Sequence, residues 1–220
     1  MSLEQYEYYR TPNGILYCGK NTEICPSLPS HDLLLTDPPY GINENADKIK
    51  SRGKLAKNID YGKFYWDKEP ASKDELSCGL SISKRAVVWG GNFFDLPPSS
   101  GWLVWDKLNG GSDFADAELA WTNLKMAVRI FKHRWMGMIR DSERDRKRVH
   151  PTQKPVALFI WCIGFAKEAQ TVLDTFAGSC TTAIACERLG KKWTCIEEDE
   201  RWCEAGKKRI IHERQQLKLF

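Results

Sequence analysis

Along the chain, apolar runs of four to six residues alternate with amphipathic stretches. Ile15–Cys18, Asp32–Thr36, Arg85–Trp89, Trp102–Trp105, Thr171–Asp174 and Trp193–Glu197 read as strands. The second is apolar on both faces, which suits the centre of a parallel sheet. Helices are expected over Glu75–Lys84, Pro155–Lys167, Thr181–Leu189 and from Asp199 onward, with Gly190 as a stop and Pro155 in a first turn. Residues 117–135, with ELAW and MAVRIF, suggest an antiparallel hairpin. The last third runs strand, helix, strand, helix. That order predicts an α/β fold with a doubly wound, mostly parallel sheet carrying an antiparallel hairpin.

Two segments escape the pattern. Residues 41–70 are polar without a sustained period and read as a long mobile loop. Residues 122–149 carry a dense run of bases that includes Arg140, Arg146, Lys147 and Arg148. The earlier loop adds Lys54 and Lys57, with Tyr61, Phe64, Tyr65 and Trp66 nearby. Bases mixed with aromatics suit phosphates and unstacked bases, and equally suit a solvated face.

Length and composition narrow the field. At 220 residues one domain over 1–220 is expected. The net charge of +4 permits nucleic acid without requiring it. No run is apolar enough to span a bilayer, and the acidic start does not read as an export signal, so a cytoplasmic protein with no membrane partner is expected. The eight cysteines form no C-x-x-C pair, so metal ribbons and redox motifs are not expected and buried, reduced thiols are.

Two stretches carry chemistry. Thr175-Phe176-Ala177-Gly178-Ser179-Cys180 is a small-residue turn from strand to helix, and Glu197 closes the next strand. Such a turn lets a ligand approach backbone and helix N-terminus, and an acid about 20 residues on can reach ribose hydroxyls. It has one glycine where a dinucleotide fingerprint has three, and no phosphate-loop lysine. A ligand with adenosine and no phosphate fits better; an ordinary turn fits these residues equally well. The second stretch is Thr36-Asp37-Pro38-Pro39-Tyr40-Gly41: a carboxylate, two stiff residues and an aromatic ring at the tip of a buried strand.

TDPPYGI, then HPTQKP (His150–Pro155), then DTFAGSCTTAIACERLG, resembles the β-type amino DNA methyltransferases, which methylate N6 of adenine or N4 of cytosine. The resemblance covers roughly residues 15–40 and 86–215 and includes that type's permuted order, catalytic motif before cofactor motif. It implies a Rossmann-like fold, S-adenosylmethionine as cofactor and double-stranded DNA with a flipped target base as partner; a homodimer is admitted. By resemblance Asp37, Pro38, Pro39 and Tyr40 are catalytic. Asp37 and the Pro38 carbonyl would accept the two amine N–H groups, and Tyr40 would stack on the base. Asp174, Phe176, Gly178, Ser179, Thr181 and Glu197 would line the cofactor site, with Thr152, Gln153 and Lys154 near its methionine end. Lys54, Lys57, Arg140, Arg146, Lys147 and Arg148 would meet DNA. Asp rather than Ser in the motif favours adenine N6 over cytosine N4.

Three positions depart from the pattern. Thr175 stands where the family usually has proline. Cys180 replaces a second glycine and is expected to narrow the turn. Gly19-Lys20 replaces a Gly-Asp whose acid meets the adenine, leaving Asn21 as substitute. A relative that binds DNA without catalysis, or an enzyme acting on RNA or protein amines, would share these motifs. With no room for a nuclease, a solitary or partnered modification enzyme is expected.

Overall fold

The computed structural model describes residues 2–42, 67–110, 115–136, 139–146 and 148–217. The loop expected at 41–70 lies almost wholly outside them, as do Lys54, Lys57 and Lys147. The strands are β1 (Glu7–Arg10), β2 (Gly14–Cys18), β3 (His31–Thr36), β4 (Ser83–Trp89), β5 (Trp102–Asp106), β6 (Ala117–Thr122), β7 (Arg129–Lys132), β8 (Trp135–Met136), β9 (Ile139–Arg140), β10 (Thr171–Asp174) and β11 (Lys192–Glu197). The helices are α1 (Asn21–Ile24), α2 (Lys73–Ser81), α3 (Val156–Ile163), α4 (Thr181–Leu189) and α5 (Glu200–Leu217).

Nine strands form one sheet in the order β1-β2-β11-β10-β3-β4-β6-β5-β7. The five from β2 to β4 are mutually parallel. Period-two alternation sends Leu33, Leu35, Val87 and Trp89 to the face covered by α3, α4 and α5, and Leu34, Ala86 and Val88 to the face covered by α1 and α2. Both faces are buried, so β3 reads as a continuous apolar run.

Three expectations shift. The helix foreseen to reach Lys84 ends at Ser81, and Ser83–Arg85 open β4, because a strand's polar start looks helical in sequence. The helix foreseen from Pro155 to Lys167 is α3 followed by a 3-10 turn, with Pro155 as its cap residue. The strands within 117–135 form but do not pair with each other. β6 pairs antiparallel with β4 and β5, and β7 pairs parallel with the far edge of β5. The antiparallel hairpin of this fold is β5–β6, with a smaller one at β8–β9.

Candidate active site

β3 and β10 lie side by side and parallel, with Leu33 opposite Val172 and Leu34 opposite Leu173. The chain leaves β3 toward β4 on one side and leaves β10 toward β11 on the other. Strand order therefore reverses between them, and a crevice opens at their carboxyl ends. Asp37–Tyr40 forms one lip and the turn of residues 175–180 the other.

Asp37 is clasped. Its Oδ1 accepts the Tyr40 hydroxyl at 2.6 Å and its Oδ2 pairs with Lys154 Nζ. Nζ also lies 3.1 Å from the Tyr40 hydroxyl and 3.2 Å from Glu118 Oε2. Glu118 Oε1 pairs with Lys107. Burial pushes the Asp37 carboxyl up, against the pull of Lys154. Burial alone would discharge Lys154, but Asp37 and Glu118 outweigh it and hold the ammonium charged. Burial would also raise Glu118, yet Lys154 and Lys107 draw it down to about 2. Burial, then Asp37, holds the Tyr40 phenol well above its usual range, so it donates.

The Pro-Pro-Tyr loop is anchored by backbone. Tyr40 and Gly41 N–H donate to Asp67 Oδ1 at 2.8 and 2.9 Å, and Ala71 N–H donates to the Pro39 carbonyl at 3.0 Å. The loop's own anchoring thus uses Pro39, not the Pro38 carbonyl assigned to the amine. Gly90 is left-handed (φ 67°), and a Cβ there would meet the Tyr40 ring at 2.0 Å, so only glycine lets the ring lie down. Phe93 covers that ring, stacked at 5.1 Å and 13°, although it is 46% exposed. The stacking face expected to receive a base is therefore shared with Phe93.

On the other lip Gly178 (φ 50°) and Cys180 (φ 58°) are both left-handed. Glu197 accepts Gly178 N–H at 2.7 Å and Asp199 N–H at 2.9 Å, and burial raises its carboxyl to about 7. The expected narrowing by Cys180 does not occur. Its side chain turns away from the crevice into a notch where α5 carries Gly206; a Cβ at 206 would meet Sγ at 2.4 Å. Asp174 is buried, with Oδ1 accepting Thr36 Oγ1 (2.8 Å) and Phe176 N–H (3.2 Å) and Oδ2 accepting Thr182 Oγ1 (2.5 Å), so it ties the two lips from beneath. Burial lifts it to about 6. Asn21 Nδ2 is committed to the carbonyls of Glu75 and Thr175, both at 3.3 Å, rather than offered to a ligand.

Within HPTQKP the roles divide. Thr152 Oγ1 lies 3.1 Å from His150 Nδ1. Gln153 is buried and structural, its carbonyl taking Trp135 Nε1 at 2.7 Å and its Oε1 taking Val149 N–H at 3.0 Å. Lys154 faces Asp37. Ser179 and Thr181 are held by Arg209, whose Nη1 lies 2.9 Å from Ser179 Oγ and 3.3 Å from Thr181 Oγ1. Arg209 and Glu118 were not among the residues picked from sequence. Glu118 had a signal, an acid in an otherwise apolar strand; Arg209 sits in a basic helix run and had none.

The bases assigned to DNA are partly engaged. Arg146 pairs with Glu213 at 2.5 Å, and Arg140 and Arg148 lie 5.3 and 5.6 Å from the Trp135 ring centre. Among the described residues no cluster of His, Cys, Asp and Glu could hold a metal ion, and no helix is long and apolar enough to cross a membrane.

A parallel switch-point sheet with an acid–aromatic lip facing a glycine turn defines a Rossmann-like fold. Residues 101–208 match the family described as DNA methylase, of the N6/N4 kind. The chain is similar to the type II methyltransferase M2.LlaDCHI of Lactococcus lactis subsp. cremoris, 22% identical over 92% of this chain and 91% of that protein. It is also similar to M.HinfI of Haemophilus influenzae, 24% identical over 88% of this chain and 66% of that one. Among solved structures, PvuII DNA methyltransferase (cytosine-N4-specific) shares the fold at TM-score 0.56 and 18% identity, covering 91% of this chain and 87% of that one. The M1.HpyAVI–SAM complex shares it at TM-score 0.54 and 19% identity, covering 89% and 98%.

Proposed function

We propose that this protein is an S-adenosylmethionine-dependent DNA methyltransferase acting on the exocyclic amine of a base flipped from double-stranded DNA, adenine N6 in preference to cytosine N4. The observation that carries the reading is the Asp37 carboxylate, braced by Tyr40 and Lys154, standing across the switch point from the Gly178–Glu197 turn. The cofactor is supported by the donor set. Glu197 is an inward acid whose two bonds are to backbone N–H groups, which leaves lone pairs for ribose hydroxyls. Gly178 is left-handed, and the nearest atoms to a Cβ there would be those of His150 at 3.9 Å, so the backbone is open to a ligand. When bound, this cofactor supplies an electrophilic methyl on sulfur.

An aromatic amine is a poor nucleophile because its lone pair is delocalised. Asp37 accepts one N–H and the Pro38 carbonyl the other, which draws the nitrogen toward tetrahedral geometry and aims its lone pair at the methyl. The stiff proline pair and the Asp67 anchor hold both acceptors in place, so little reorganisation is needed. Lys154 does not serve as base, because it is held charged between two acids. Asp37, with its carboxyl raised, is the group able to take the amine's proton.

Adenine is favoured by Asp at the head of the motif; the cytosine-N4 specificity of the similar PvuII methyltransferase makes cytosine N4 the second reading. The test is transfer of labelled methyl to unmethylated genomic DNA with nucleoside analysis, beside Asp37→Ala. Label in N6-methyladenine that falls about 10²-fold or more in the variant is expected. Label in N4-methylcytosine reverses the base assignment, and no label at all overturns the reading.

A further inference from the structure

Behind the turn of residues 175–180, α5 places Arg209, its side chain 12% exposed. Nη1 donates to the Ser179 carbonyl at 2.5 Å and to Ser179 Oγ at 2.9 Å, and lies 3.3 Å from Thr181 Oγ1. A guanidinium only donates, so each hydroxyl receives it on a lone pair and sends its own hydrogen elsewhere. Thr181 has the Lys154 carbonyl at 3.4 Å. Ser179 is buried, and among the described residues nothing accepts its hydrogen. The surroundings carry surplus positive charge. Arg146 and Arg188 share Glu213. Glu143 faces Arg209 Nη2 across 3.6 Å, but its Oε2 takes Val156 N–H, and neither its Oε1 nor Nη2 makes a hydrogen bond. Three arginines thus stand against two glutamates. On the crevice side Lys154 is committed to Asp37 and Glu118. Burial, then the charges of Lys154 and Arg209, push His150 down to about 3, so it is neutral. His150 is also the nearest side chain to a Cβ on Gly178, so the field of Arg209 reaches the crevice.

Resting on the S-adenosylmethionine reading above, we propose that Arg209 is a positioning residue for the carboxylate at the cofactor's amino-acid end. By holding the Ser179 hydroxyl from the α5 side, it turns that hydroxyl's hydrogen toward the crevice as a donor to the carboxylate. A hydrogen bond to an ionised acceptor is stronger than one between neutral groups, and the surplus charge behind the turn favours the anion further. The ribose is met by Glu197, on the next strand, and gains from neither effect.

The test is calorimetric binding of two probes to the full chain: S-adenosylhomocysteine, which carries the carboxylate, and 5′-methylthioadenosine, which lacks it. Arg209→Gln is expected to weaken S-adenosylhomocysteine at least about tenfold while 5′-methylthioadenosine stays within about twofold. Ser179→Ala, a small change that leaves the guanidinium in place, is expected to show the same split. An equal loss for both probes in Arg209→Gln, or no loss for either, overturns the inference, because a merely structural arginine does not distinguish them. A split in Arg209→Gln without one in Ser179→Ala overturns it too, since the hydroxyl is then not what the arginine positions. If Arg209→Gln does not fold, as circular dichroism would show, Ser179→Ala decides on the same terms. A wild type that binds both probes equally well also overturns the inference and leaves the cofactor reading standing. A wild type that binds neither ends both.

Discussion

Cys180 holds φ 58° and ψ 40°, a conformation that glycine adopts freely and a side chain adopts at a cost of roughly 1–2 kcal/mol. It persists because Gly206 leaves room for Sγ. Gly206→Ala should therefore lower stability by about 2 kcal/mol, and adding Cys180→Gly should recover most of that loss. Urea denaturation of the two single variants and the double variant measures the coupling, which additive costs would contradict. Glu197 gives a second test at this scale. Its folded carboxyl titrates near 7 against an ordinary value of 4.5, so the folded state holds a proton that the unfolded state has released. Stability without ligand should fall as pH rises across that window, by roughly 3 kcal/mol from this group. Cofactor affinity should move the opposite way, tightening as pH rises through 7, because hydroxyl donors need the ionised acid. Calorimetry on wild type should show that rise, and Glu197→Gln should be flat. Asp37, Gly178 and Glu197 were legible in sequence because their types and spacing encode local chemistry. The inward turn of Asp174 and the outward turn of Cys180 were not, since each depends on a partner far along the chain.

Elements with their own start and stop signals were the legible ones. α4 occupies Thr181–Leu189 as expected and ends on left-handed Gly190. Pairing was less legible: period two marks β6 and β7 as strands without saying which neighbour each will find, and β5 intervenes. β1, with its exposed ends, gave too little apolar signal. What joins elements here is often a buried acid. Glu187 on α4 accepts from Thr11 Oγ1 (2.9 Å), Asn13 Nδ2 (3.0 Å), Trp193 Nε1 (3.0 Å) and Arg214 Nη1 (2.6 Å). It thus ties the β1–β2 turn, β11 and α5 to one point. Glu187→Leu should cost roughly 3–5 kcal/mol, as it strands the Arg214 charge and three further donors. A smaller loss in thermal unfolding would show that water or another acid can replace it.

Across the whole molecule, sequence-distant motifs meet because the sheet reverses direction between β3 and β10. HPTQKP needs no strand of its own; it crosses the crevice mouth and delivers Lys154 to Asp37. The basic segment before it is docked rather than loose, with Arg146 tied to Glu213 on α5. Arg146→Ala should accordingly lower the melting temperature while leaving the salt dependence of DNA binding unchanged; a slope reduced by about 0.9 would assign it a phosphate instead. The strand order carries one more consequence, for synthesis. β2 is made before the other strands of the parallel core, yet its parallel neighbour β11 is made after all of them. A growing chain thus carries the β1–β2 hairpin with that edge unpaired until β11 has emerged. A nascent chain stalled before Lys192 should remain sensitive to protease at the β1–β2 hairpin.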